Sequence, residues 1–430
     1  MRAAVRHRLR RSRGKTRAWS SAGALVGFLL ASFVLSASFL LSGCWDRREV
    51  DKLAIVMATG LDLTPEGDLL LTAQVVKPSE VKAGGGGPMG GSPRAVVVAS
   101  SRGRTVAEAV RGMSEVVGRR PFWGQSRILV VGEDVARAGL GDVLDWFFRE
   151  REPRPKTHLV VFRGRAADVL AAENELETMP GLALDSLVSL ASATSFTYPV
   201  TDHHFLRDLV APGRDPIASA VVLVSRAGQA GFPGEEPARE GEPPATEAEK
   251  ETRRLAVGGL ALFKDDRLVG WTTPEQARAI LWMCGKDGRS MVVIPGAPGS
   301  ARPATVEVLG AKPKARFREE GGRLWLRVEL ECDCALADQP RGPDIVNKAV
   351  IRDIEGKVEE RLRAEMLDAL GVARSLGIDP FGFGLTLHAR YPKLWKVFGQ
   401  DWPCALWEGT VEVSVKARVI RSGLSLRAPQ

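Results

Sequence analysis

A chain of 430 residues with 44% apolar and 26% charged side chains is long enough for two or three domains with sizeable cores. The formal net charge of +8 resides in the first 43 residues, where Arg2, Arg6, Arg8, Arg10, Arg11, Arg13, Lys15 and Arg17 meet no acid. From Cys44 onward the chain is neutral as a whole, which argues against nucleic acid as a partner.

The basic stretch is followed by an apolar run, Ala22 to Leu41, and then by Ser42, Gly43 and Cys44. A basic region, an apolar region and small residues before a cut describe a secretory signal. The run of about 20 residues also reaches ~30 Å as a helix, so an uncleaved membrane anchor competes with the signal reading. Leu41-Ser42-Gly43-Cys44 resembles the bacterial lipobox, in which a diacylglycerol is attached to the cysteine thiol and the peptide is cut just before it. The resemblance implies cleavage between Gly43 and Cys44, with residues 1–43 as signal peptide and Cys44 as the lipidation site. No other cofactor is expected. Both readings place the N-terminus inside and the rest of the chain outside the cytoplasm.

After the leader, "LAIVMATGLDL" and "LLLTAQVV" read as two strands around the turn "TPEGD". Val81 to Arg94, "VKAGGGGPMGGSPR", is too glycine-rich for a regular element, and no GK[ST] ends it as a phosphate loop requires. A βα alternation follows. "AVVVASS" is a strand, and Thr105 to Val117 is a helix that Thr105 and Glu108 open as a capping box. "RILVVGE" and "THLVVFRGR" are strands; "LGDVLDWFFRER" and "AADVLAAENEL" are helices. Leu182 to Val210 is partly helical, and Asp215 to Ser225 is a strand. Arg226 to Arg254 is rich in Gly, Pro and Glu and marks a linker or long loop. The domains expected are thus 44–225, an α/β region of two subdomains, and 255–430.

In the second domain "LAVGGLALFKDDRLVGWTT" is a hairpin that turns near Asp265-Asp266, and "ARAILWMCG" is a short helix. Strict alternation puts Leu324, Leu326, Val328, Leu330, Cys332 and Cys334 on one strand face. Val411, Val413, Val415, Ala417 and Val419 share a face in the same way. Between them a helix from about Ile345 to Leu370 carries a stripe every four residues from Val346 to Met366. The fold class expected is α+β: a multi-domain mixed α/β chain whose C-terminal domain is an antiparallel sheet packed with one long amphipathic helix.

Few residues invite chemistry. Cys332-x-Cys334, with Cys284 and Cys404, leaves three readings open: core packing, a disulfide, or a metal site of four cysteines. His203-His204 lacks ligands at metal spacing and reads as a surface or loop pair, and His158 reads as structural. "FWGQS", Phe122 to Ser126, and the trio Trp395, Trp402 and Trp407 read as packing, with a partner or membrane surface as the alternative. No nucleophile elbow, phosphate loop or paired-carboxylate arrangement stands out, so no enzyme activity is expected.

Three stretches carry a family resemblance: "GCWDRREVDKLAIVMATGLDL", the block from Arg119 to Leu170, and "PFGFGLTLHARYPKLWKVF". They resemble the Ger(x)C family, the lipoprotein C subunits of nutrient germinant receptors in bacterial spores. The likeness runs from Leu41 to about Ser422 and departs at Gln125, where the family often has histidine. It implies a non-enzymatic, lipid-anchored subunit on the outer face of the spore inner membrane, beside integral-membrane A and B subunits. Only Cys44 transfers as a functional residue. A solute-binding lipoprotein of an importer is the alternative, and an envelope enzyme a third reading.

Overall fold

The computed structural model describes residues 26–33, 52–77, 96–154, 156–172, 179–191, 196–225, 253–286, 289–296, 302–338 and 348–421. Gly43, Cys44, the glycine-rich stretch 81–94 and linker residues 226–252 lie outside them. The chain divides into Met1–Lys52 and Leu53–Gln430. In the first unit residues 26–33 are helical. No helix among the described residues is long and apolar enough to cross a membrane.

The second unit holds two sheets. The first contains β1 (Leu53–Leu63), β2 (Leu69–Val76), β3 (Val96–Gly103), β4 (Arg120–Phe122), β5 (Ile128–Gly132), β6 (His158–Phe162), β7 (Ile217–Ser225), β8 (Arg253–Lys264) and β9 (Arg267–Trp271). Its order is β3-β2-β1-β5-β6-β7-β8-β9, with β4 beside the start of β1. The pairs β1–β5, β5–β6 and β6–β7 are parallel; helices carry the crossovers from β5 to β6 and from β6 to β7, and the chain passes from β1 to β5 through β2, β3, a helix and β4. Antiparallel pairs flank this centre on both sides.

Every residue of β5 is buried, so helices cover both faces of the parallel centre. Ile128 and Val130 pack with Val160, α4 (Ala166–Ala171) and α5 (Pro180–Ala191). Leu129 and Val131 face the larger core, which also takes in α1 (Val106–Val117), α2 (Glu133–Ala138), α3 (Gly141–Arg149) and α6 (Asp202–Leu209). The start of α1 forms half of its expected capping box, since Glu108 bonds to the amide before Thr105 and not to that of Thr105. Thr105 Oγ1 accepts from the Glu108 amide at 3.2 Å, and the Glu108 carboxylate accepts from the Arg104 amide at 2.9 Å.

The second sheet is β10 (Ser290–Ile294), β11 (Ala304–Glu320), β12 (Arg323–Asp338) and β13 (Thr410–Arg421). Helix α7 (Pro274–Met283) and the 29-residue α8 (Lys348–Leu376) lie in the shared core with it. The stripe on α8 is as its spacing requires: Val350, Ile354, Val358, Leu362 and Met366 are all buried, whereas Val346 lies outside the described residues. Such side chains each contribute about 1.5–3 kcal/mol when fully buried. The inward face of β12, Leu324 to Cys334, is also as alternation predicts.

The mixed α/β class holds, and three details depart from expectation. The hairpin after the linker, β8–β9, completes the first sheet, since β8 pairs with β7 across residues 226–252. The second sheet is antiparallel from β10 to β12, but β13 runs parallel to β12. Alternation fixes which face a residue occupies, not which way the strand runs, and the helical connection between the two strands permits a parallel return. Third, β11 is a long strand that the sequence reading missed, although Thr305-Val306-Glu307-Val308 alternates at its start. Pro313 and a dense set of charges mask it, although the Gly321-Gly322 turn that joins it to β12 has the positive φ angles (60° and 80°) of a two-residue hairpin loop.

A buried ion pair fastens α7 to α8. The Arg278 guanidinium donates to both carboxylate oxygens of Glu365, at 2.7 and 3.2 Å, and to the Met291 carbonyl at 2.7 Å. Both side chains are 5% exposed, and Arg361 adds a bond to Glu365 at 2.9 Å. Glu365→Gln keeps the shape but removes the charge that Arg278 needs. It is expected to lower stability by about 1.5–3 kcal/mol, read as a lower urea midpoint with an unchanged slope.

Candidate functional site

The densest polar arrangement surrounds Asp379, in the turn between α8 and α9 (Phe383–Arg390). Its carboxylate is fully buried and accepts from the amides of Phe381 (3.1 Å), Gly382 (3.0 Å) and Gly384 (2.8 Å), and from the Trp402 indole (3.1 Å). Only glycine fits twice here. Gly382 has φ 75°, and a Cβ on Gly384 would lie 2.5 Å from the Gly213 carbonyl oxygen. Burial outweighs these donors and pushes the Asp379 carboxyl up to about 6.

Asp215, just before β7, ties this turn to the first sheet. Its amide donates to the Asp379 carbonyl at 2.9 Å, and its carboxylate accepts from the Asp379 amide at 2.7 Å and the Asp265 amide at 3.3 Å. Burial raises Asp215 as well. Asp265 and Asp266 form the β8–β9 turn, as their sequence suggests, with Asp265 at φ 54°. Asp266 accepts from the amide of Gly141 at 3.0 Å. An analogous clamp sits in the first sheet, where Asp62 accepts from the Ala166 and Ala167 amides at the start of α4, at 2.6 and 3.0 Å.

The Trp402 side of the Asp379 turn opens onto a groove of about 780 Å³. Phe398, Trp402 and Trp407 supply its aromatic wall, and Lys264, Arg323 and Arg374 its cations. The wall comes from α10 (Pro392–Phe398) and α11 (Cys404–Glu408) and the turn between them. All three tryptophans have the packing role expected, Trp395 against Trp402 and Trp407 in the core. The Trp407 indole donates to the Ile378 carbonyl at 3.0 Å, and Trp395 and Trp402 lie 6.0 Å apart. Sequence reasoning missed Asp379 and Asp215, although "DPFGFG" concentrates an acid and two glycines at a helix end.

The other candidate residues are scattered. Cys332 and Cys334 are buried on the core face with their sulfurs 3.9 Å apart. Cys284 donates to the Pro380 carbonyl at 3.3 Å, and Cys404 is exposed in the groove with its thiol toward Glu408. All four are free thiols in this structure. Burial pushes the Cys284 thiol up, and a hydrogen bond to Glu408 raises the Cys404 thiol, so neither is an activated nucleophile. His203 and His204 open α6, with His203 at the surface and His204 half-buried, and Nδ1 of His158 is 2.7 Å from Asp185. Trp123 of "FWGQS" is 2% exposed, donates to Thr59 at 3.0 Å and meets Trp146 edge-on at 5.5 Å, a packing role. No cluster of metal-ligating side chains occurs among the described residues.

These groups pin turns and helix ends, and the features left open to a partner are surfaces. Both halves of the chain match known protein families. Residues 46–223 match the spore germination protein N-terminal domain, and residues 258–423 match the spore germination B3/GerAC-like C-terminal domain. The class is thus a spore germination protein of two matched regions.

The chain belongs to the Ger(x)C family, and its role lies in spore germination. It is 25% identical over 403 residues to spore germination protein KC of Bacillus subtilis, covering 92% of this chain and 96% of the relative. It is 22% identical over 401 residues to spore germination protein B3 of the same organism, covering 92% and 97%. Its fold is similar to the crystal structure of the GerBC protein, with a TM-score of 0.53 at 16% identity over 84% of this chain and 96% of that one.

Proposed function

We propose that the protein is the lipid-anchored C subunit of a nutrient germinant receptor and acts without catalysis. The supporting observation is the match of both halves to germination proteins, over nearly the full length of the relatives. In this reading the leader is removed after Gly43, Cys44 carries a diacylglycerol, and the chain from Leu53 stands on the outer face of the spore inner membrane. Integral-membrane A and B subunits are its partners. The buried acids serve as clamps that hold the groove and the α9–α10 corner in fixed positions, a property suited to a docking subunit. The importer alternative is not favoured by any of these matches.

Spores lacking this protein, in a strain without a paralogue, are expected to lose their response to at least one nutrient while still germinating with a non-nutrient trigger. A normal response to every nutrient would refute the reading.

A further inference from the structure

The neutrality of the exported chain hides a local asymmetry. From Pro380 to Gln400 there is no Asp or Glu, whereas Arg390, Lys393 and Lys396 are all cations. They are exposed, and among the described residues none of the three has a carboxylate partner. Lys393, Lys396 and Val397, three and four residues apart, share an exposed face of α10, and exposed Arg390 ends α9 just before it. Val397 is 63% exposed beside the lysines, and α10 has no fully buried residue. On its other side Trp395 packs against Trp402 and His388, which fixes the corner to the body of the protein.

Cations interleaved with an apolar side chain, and flanked by tryptophan and phenylalanine, are the composition of a segment that rests in a membrane interface. Basic side chains next to an anionic bilayer are each attracted to it within a Debye length. We propose that the α9–α10 corner is a contact surface for anionic phospholipid, which orients the subunit on the bilayer. This rests on the reading that Cys44 anchors the chain there. The lipid supplies the attachment, and the basic stripe selects which face meets the headgroups. An acidic protein partner is the competing occupant, and the exposed apolar Val397 among the cations favours lipid over it.

The test uses the full lipidated protein with Val397→Cys in a Cys404→Ser background, spin-labelled and reconstituted into vesicles. Phosphatidylcholine vesicles are compared with vesicles containing phosphatidylglycerol. Vesicle flotation reads the anchor, and collision with a water-soluble nickel complex reads the corner. Accessibility is expected to fall several-fold in the anionic vesicles, and to recover in Lys393→Glu/Lys396→Glu or in high salt. Circular dichroism checks that the charge variant stays folded. A chain that floats but remains equally accessible in both vesicles overturns this inference alone. Protection that appears only in native membranes with other receptor proteins present overturns it in favour of an acidic protein surface. A chain that fails to float overturns the anchor reading, and this inference with it.

Discussion

Cys44→Ala is expected to leave the chain as an uncleaved precursor without lipid. The thiol is the atom that takes the thioether-linked lipid, and an alanine methyl offers no nucleophile. The peptidase that acts on lipobox precursors recognises the lipidated residue, so the signal stays on. Intact-mass measurement is expected to show the leader retained and no diacylglycerol, in contrast to the wild type. Mature-length protein in the variant would contradict the anchor. In the proposed lipidated form, two acyl chains are expected to hold the protein firmly, since each buried CH2 is worth ~0.8 kcal/mol. Because the chain from Cys44 onward is neutral as a whole, high salt is expected to leave it with the membrane while detergent releases it.

Asp379→Ala is expected to cost about 3–5 kcal/mol, because it leaves three amides and an indole N–H facing a hole without an acceptor. The loss would appear as a lower urea midpoint and as melting of the 378–409 region first, seen in hydrogen exchange. The same group also sets a pH dependence. Its carboxyl is pushed from 3.8 up to about 6 in the folded chain, so the folded state holds the proton more tightly than the unfolded state. With respect to this group stability is greatest below about 4, falls as pH rises to 6, and is flat above, a difference of about 3 kcal/mol. Asp202, raised to about 6 by burial, adds a slope of the same sign. Urea midpoints at pH 4.5 and 7 check the direction, and Asp379→Asn is expected to remove its own share of the slope. A midpoint that rises over this range through the action of Asp379 would contradict the account.

Most regular elements were legible because burial imposes a period. The four-residue stripe on α8 and the alternation on β12 each report one buried face, and Thr105 with Glu108 announces a helix start by local chemistry. What escaped depends on partners distant in sequence. Asp379 is held mainly by backbone amides, which have no letter in the sequence, and by an indole 23 residues away. Arg278 and Glu365 are 87 residues apart, and nothing local distinguishes them from solvated surface charges. The parallel return of β13 is likewise invisible to alternation. Helix α10 is too short for periodicity to mark, yet its basic and aromatic letters were in plain view.

The most direct test of the receptor reading is purification of the tagged full-length protein from detergent-solubilised spore inner membrane, with mass spectrometry of its partners and of its own N-terminus. The account predicts two co-purifying polytopic membrane proteins and a diacylated Cys44. A permease with an ATPase, or no partner at all, would contradict it.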